Sequence, residues 1–222
     1  MSHSHPNDWE ARYTSVDRLW SGQPNQWLTA AADWQPGTSL DVGCGEGDDV
    51  LWLAAHGWQA TGIDLAPTAV ARMLEAARQR GLATAVTGEV RDVLSQGLPE
   101  GCWDLVTSFF VHGGRNEGGL DLIELLTQMA ARVAPGGCLM AAVHAVMPPW
   151  HPADLRTYRA EELLAELVAA IGGDVVGAGA GEATLPGWQV EQCADHWAEA
   201  TSPDGTTAPK ADAVLVLRRA QA

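Results

Sequence analysis

The sequence predicts an α/β fold: a mostly parallel sheet with helices on both faces. Three observations predict it. From Thr38 onward short apolar runs alternate with helical patterns, a glycine-rich turn follows the first run, and the last two runs have no helix between them. Parallel neighbours require crossovers, so strands separated by helices argue for a parallel sheet, and the unseparated pair argues for a hairpin that adds one antiparallel strand.

Leu40 to Val42 reads as the first strand, and Asp48 to His56 then places Val50, Leu51, Leu53 and Ala54 at helical spacing before Gly57. Trp58 to Asp64 reads as the second strand. Pro67 suits the first turn of the next helix, which carries Val70, Met73, Leu74 and Ala77 on one face and stops at Gly81. Ala83 to Val90 is a third, weaker strand that runs to Asp92, and Trp103 to Val111 is a fourth, stronger one. A glycine-rich loop leads into a helix bearing Leu122, Ile123, Leu125, Leu126, Met129 and Val133, ended by Ala134-Pro135-Gly136-Gly137. Cys138 to Ala145 is the fifth strand and Ala160 to Ile171 a further helix. Trp188 to Ala194 and Ala213 to Leu217 are the last strands, with a turn at Ser202-Pro203-Asp204-Gly205. Gly172 to Gly187 is expected to be a surface loop.

The 222 residues suffice for one sizeable core, and the chain reads as a single domain over 1–222, with an aromatic-rich lid segment over 1–37 and the core over 38–222. Hydrophobic residues at 46% against 18% charged ones place it among globular chains. A formal net charge of −15 would repel phosphate backbones and anionic membranes, which disfavours nucleic acid and membrane partners. No apolar run reaches the roughly 20 residues needed to span a bilayer, and the N-terminus has no leader pattern, so a cytoplasmic protein, monomeric or homodimeric, is expected. Cys44, Cys102, Cys138 and Cys193 lie far apart without zinc-ligand spacing, so no metal site is expected.

The chemistry concentrates in Leu40-Asp41-Val42-Gly43-Cys44-Gly45-Glu46-Gly47. Glycines at this point let the backbone approach a ligand and present amides at a helix N-terminus. Asp64, ending the second strand, is placed to accept from both hydroxyls of a ribose. Asp92, ending the third, either accepts from an exocyclic amine or caps a turn. Asp48 and Asp49 are read as residues that favour a helix N-terminus.

These residues resemble motif I of the class I S-adenosylmethionine-dependent methyltransferases. Gly62-Ile63-Asp64-Leu65 resembles the acidic ribose motif, and Asp104-Leu105-Val106, Pro135-Gly136-Gly137 and the final hairpin extend the likeness. The resemblance implies a Rossmann-like seven-stranded sheet in the order 3-2-1-4-5-7-6 with strand 7 antiparallel, and S-adenosylmethionine as cofactor. It places the methionine end at Asp41, Gly43 and Gly45, the ribose at Asp64 and Leu65, the adenine at Asp92 and Val93, and backbone contacts at Phe109. Trp9, Tyr13, Trp20-Ser21-Gly22 and Leu53 to Trp58 look most like the tellurite-resistance and thiopurine-type small-molecule methyltransferases. Methyl transfer to a sulfur, selenium, tellurium, nitrogen or oxygen nucleophile is the implied activity. The alternatives are an inactive, methyltransferase-like binding domain and a nicotinamide-dependent oxidoreductase; against the latter, the third glycine falls one residue early.

A hydroxyl or protonated amine needs a base, for which His112 at the end of the fourth strand is the first candidate, with His144 at the end of the fifth and His151 just beyond as the others. Trp20, Trp150, His151 and His144 are the expected acceptor-binding groups, and Arg115 and Arg156 could grip a carboxylate. Trp9, Trp20, Trp27 and Trp34 precede the core; Gly22, Pro24 and Pro36 exclude a coiled coil there, so a lid is expected, with Trp34 only packing.

Overall fold

The computed structural model describes residues 6–111, 120–151, 156–172, 174–175 and 183–221. Strands β1 (Thr38–Val42), β2 (Gln59–Asp64), β3 (Val86–Val90), β4 (Trp103–Phe109) and β5 (Val133–Val146) are parallel. Strand β9 (Thr207–Arg219) runs antiparallel to β5, and β8 (Trp188–Thr201) pairs with β9 at the edge. The order is β3-β2-β1-β4-β5-β9-β8, which is 3-2-1-4-5-7-6 when the strands of this sheet alone are counted. A separate two-residue pairing joins β6 (Asp174–Val175) to β7 (Ala183–Thr184).

Alternation along the strands divides the core. Leu40, Val42, Ile63, Val106, Leu139 and Ala141 face helices α5 (Leu122–Ala131) and α6 (Ala160–Ala170). Ala60, Leu105, Cys138, Met140 and Ala142 face α2 (Asp48–Ala55) and α3 (Pro67–Gln79). The two faces are thus covered as expected. The cluster on the second face takes in Val214 and Val216 of β9. Leu28, in a 3-10 turn at Leu28–Asp33, is buried in this cluster, and Trp27 and Trp34 on either side of the turn pack against it. The N-terminal segment is therefore part of the core as well as a cover.

Several boundaries move. The helix expected to end at Ala134–Gly137 ends at Ala131, and Ala134-Pro135-Gly136-Gly137 belongs to β5; the irregular register between Trp103 and Leu105 accommodates the proline, which has no amide to donate. Ala83 to Ala85 forms a turn, so β3 begins only at Val86. The hairpin strands are longer than their apolar runs because hydrogen-bonded pairing continues beyond the covered part of the sheet, through Thr201 and Thr207. The expected loop from Gly172 to Gly187 contains the β6–β7 pairing. Two helices had no apolar periodicity to announce them: α1 (Pro6–Thr14) and the single turn α4 (Val93–Gln96).

Candidate functional site

The parallel strands end along one edge of the sheet, and the glycine-rich turn folds over it. Gly43 and Cys44 both donate to the carbonyl of Ile63, at 2.9 and 3.0 Å, which draws the turn against the end of β2. Gly45 has φ +54° and Gly47, capping α2, has φ +79°. A side chain is excluded at both: a Cβ on Gly45 would stand 2.9 Å from the Tyr13 hydroxyl, and one on Gly47 would enter the Met73 side chain. Asp64 braces the turn, with Oδ2 accepting from Gly45 N and Oδ1 from Ala66 N, both at 2.9 Å. Leu65 follows directly. Asp41 is 3% exposed and accepts from Thr107 Oγ1 at 2.7 Å.

Burial pushes the Asp41 carboxyl well up, and the nearby Asp49 and Asp64 charges add to it. Burial likewise raises Asp64, against hydrogen bonds from Ala66, Gly45 and Leu65, and brings Asp49 up to about 6. Among the described residues none of the three is in an ion pair. Among the described residues no basic side chain compensates these carboxylates, a setting that suits a cationic ligand with hydrogen-bond donors.

The N-terminal segment closes over the turn. Glu46 Oε2 accepts from the amides of Leu19 and Trp20 at 3.0 and 3.1 Å, and Oε1 accepts from Arg72 at 2.9 Å. Arg72 also reaches the carbonyl of Val16. Asp48 pairs with Arg18 and accepts from Gly22 N, and Asp49 accepts from Asn25 N. Reading Asp48 and Asp49 only as helix-terminal acids misses this role. Helix α1 docks on α3, where Glu10 accepts from Thr68 N and Oγ1 and supplies the cap that Ala66 lacks. Trp20 donates from Nε1 to the Tyr13 hydroxyl at 2.9 Å and remains 48% exposed. It therefore borders the glycine turn, at the end of the site away from β5.

Asp92 is the N-cap of α4: Oδ1 accepts from Leu94 N and Oδ2 from Ser95 Oγ, while Val93 begins the turn. Phe109 ends β4, and Phe110 beyond it has φ +57°, the one positive value for a non-glycine among the described residues. Its amide donates to Ala142 O, and its ring lies 4.7 Å from that of His144. His144 Nδ1 is 2.9 Å from Asp212 Oδ1. Trp150 and His151 are exposed in the turn after β5. Arg156, read as able to grip a carboxylate, pairs with that of Glu166 at 3.1 Å and lies over the Tyr158 ring. His112 and Arg115 lie outside the described residues. The sequence reading gave no role to Glu46 or Asp212 and named Tyr13 only within the subgroup likeness; for Glu46 its place inside the glycine motif was the available signal.

A methyltransferase domain family matches residues 40–137. The ribosomal RNA small subunit methyltransferase C of Alcanivorax borkumensis is 30% identical over 115 residues, covering 51% of this chain and 34% of the relative. The chain spans about a third of the length of the curated relatives it matches. Among solved structures, TehB from Haemophilus influenzae superposes with a TM-score of 0.66 at 17% identity, covering 97% of this chain and 67% of that one. Magnesium protoporphyrin IX methyltransferase from Synechocystis PCC 6803, solved with bound S-adenosylmethionine, gives 0.54 at 14% identity over 95% and 79%. The site described here fits that cofactor. Residues 40–137 thus match a methyltransferase domain family, and the sheet has the fold of the class I S-adenosylmethionine-dependent methyltransferases.

Proposed function

We propose that the chain transfers a methyl group from S-adenosylmethionine to a small-molecule acceptor with a sulfur, selenium, tellurium, nitrogen or oxygen nucleophile, by in-line displacement. The observation that carries this reading is the set of buried carboxylates Asp41, Asp49 and Asp64 around the glycine turn, raised by burial and without a basic partner among the described residues. S-adenosylmethionine, when bound, supplies an activated methyl group, and it brings both an ammonium and a sulfonium charge. Asp41 with Gly43 and Gly45 would hold the methionine end, Asp64 and Leu65 the ribose, Asp92 and Val93 the adenine, and Phe109 would add backbone contacts. Tyr13 and Trp20 lie against Gly45 and would help to shield a bound cofactor from water. His144, Trp150 and His151 would serve the acceptor, as would His112, which lies outside the described residues.

A ribosomal RNA acceptor, as the relative's name states for that protein, is opposed here by the net charge of −15. The intact acids favour catalysis over a purely binding role. A nicotinamide is disfavoured by the glycine spacing and by Asp48, which is engaged with Arg18. The unpaired Cys44, Cys102, Cys138 and Cys193 support a reducing, cytoplasmic setting. Packing of Trp27 and Trp34 into the same core cluster as α2 and α3 supports one domain over the chain.

Thermal unfolding with and without ligand tests the reading, since a ligand that binds only the folded state raises the midpoint. Stabilisation by S-adenosylmethionine and S-adenosylhomocysteine is expected, with loss in Asp64→Ala. Stabilisation by a reduced nicotinamide alone refutes it. Product masses from a panel of thiols, chalcogen oxyanions, phenols and heterocyclic amines then identify the acceptor.

A further inference from the structure

We propose that Lys210, on the hairpin that continues past the end of β5, binds an anionic group of the methyl acceptor, so that the acceptor is a small acid carrying a carboxylate or another oxyanion. This rests on the methyl-transfer reading above. Lys210 is the only lysine in the sequence. Strand β9 runs antiparallel to β5, so its first residues lie at the edge where the parallel strands end. Ala211 pairs with Val146, the last residue of β5, and Lys210, one position further out, pairs with Ala198 of β8. Side chains alternate along a strand, which puts Lys210 on the face of Asp212, Val214 and Val216. Helix α2, which follows the glycine turn, and Leu28 of the N-terminal segment cover that same face.

Among the described residues the other cations are engaged or distant. Most of the arginines are paired with carboxylates, and Arg12 lies over the Trp9 ring. Arg219 donates to the carbonyl of Val133, while Arg80 and Arg132 end α3 and α5; all three stand at the opposite edge, where the parallel strands begin. Lys210 has no acid, carbonyl or ring as partner among the described residues, and the fold gives the reason. Asp212, the next residue of β9 on this face, is held by His144 at 2.9 Å. The remaining neighbours on this face of the outer hairpin are Ala198, Ala200 and Ala208, whereas alternation puts Trp197 and Glu199 on the other face. Asp204, at the tip, accepts from Ser202 and Thr206. The half-buried Lys210 thus faces the acceptor side of the edge with its charge uncompensated.

A cation at this place decides which acceptors can enter. The chain has a formal net charge of −15, and the buried acids Asp41, Glu46 and Asp212 lie along the same edge. An anionic acceptor is repelled there unless a positive group receives it, and a neutral one draws no benefit from an ammonium. A second donor on this side also lacks an acceptor: the indole N–H of Trp27, whose ring lies 4.2 Å from that of His196, is buried and unbonded among the described residues. Strand β9 stands two strands, about 10 Å, from β4. A single substituted ring, with its nucleophile at one end and a carboxylate at the other, bridges that distance together with the flexible four-carbon stem of the lysine.

The test gives the full chain matched acceptors that differ only in charge: the para-mercapto-, para-hydroxy- and para-aminobenzoates against the corresponding benzamides. The wild type should prefer the carboxylate of a pair. Lys210→Met should lower the ratio of kcat/KM for carboxylate over amide by about 10- to 100-fold, chiefly through KM. Lys210→Arg should keep most of the preference, and Lys210→Glu should invert it. A direct readout needs no turnover. Reductive methylation with carbon-13 keeps the charge, and because the sequence holds one lysine its dimethyl signal is assigned without ambiguity. With S-adenosylhomocysteine present, the benzoates should shift that signal and the benzamides should not. The proposal is overturned if no benzoate shifts the Lys210 signal, if the wild type prefers the amides, or if Lys210→Met affects both members of a pair alike. A wild-type protein that fails to bind S-adenosylhomocysteine removes the methyl-transfer reading, and this proposal with it; binding of S-adenosylhomocysteine without a Lys210 response removes this proposal alone.

Discussion

Replacing Glu46 by glutamine should open the N-terminal segment without disturbing the sheet beneath it. The Glu46 side chain is 3% exposed, and its two oxygens receive three donors: the Leu19 and Trp20 amides on one, and Arg72 on the other. Glutamine retains a single acceptor oxygen. It can satisfy the two amides or the guanidinium, and its own NH2 then faces the donors left over. A hydrogen bond to a charged group contributes about 1.5–3 kcal/mol, so the expected loss is about 2–3 kcal/mol. At 1.4 kcal/mol per tenfold, the amides of Leu19 and Trp20 should exchange with solvent deuterium about 30- to 150-fold faster. Amides of β1 and β4 should keep their protection. Because this segment holds Tyr13 and Trp20 against Gly45, affinity for S-adenosylhomocysteine should also weaken. Unchanged exchange at Leu19 and Trp20, or equal acceleration in β1, would refute the assignment of Glu46 as the anchor.

Two further outcomes follow from the same site. Gly47→Ala puts a side chain at φ +79° and into the buried Met73; left-handed strain of about 1 kcal/mol and overpacking of about 1–3 kcal/mol should lower the unfolding midpoint by about 4–16 °C. The pH dependence has a definite sign: Asp49 binds a proton in the folded state up to about 6, above its unfolded value, so the ligand-free protein loses that contribution to stability as pH rises through about 4 to 6. Binding of the cationic cofactor should run the opposite way. Where it requires the ionised Asp49, affinity measured by calorimetry should rise about tenfold from pH 5 to pH 7, and Asp49→Asn should flatten that rise.

Much of the fold was legible because its signals are local. The runs at Leu40, Ile63, Val106 and Leu139 alternate or are continuously apolar, and helices with one apolar face stand between them, so strand, helix and crossover were readable from periodicity. The glycine turn was legible for a related reason: positive φ and close packing against Tyr13 and Met73 leave only glycine, and that constraint appears in the residue type itself. Where pairing or caps carry an element, the sequence was less informative. Gly136 and Gly137 look like a helix stop yet lie in β5, and α1 has no apolar stripe long enough to show its period.

The sequence by itself determined the α/β architecture, the glycine-rich turn and the acid at the end of β2, since each depends on neighbours within one βα unit. Only the tertiary structure decided the rest. Glu46 meets Leu19 and Trp20 across 27 and 26 positions, and His144 meets Asp212 across 68. Such pairs are created when strands far apart in the chain become neighbours and when the N-terminal segment folds back over the sheet. No local pattern encodes a hydrogen bond between residues that only the completed topology brings within reach.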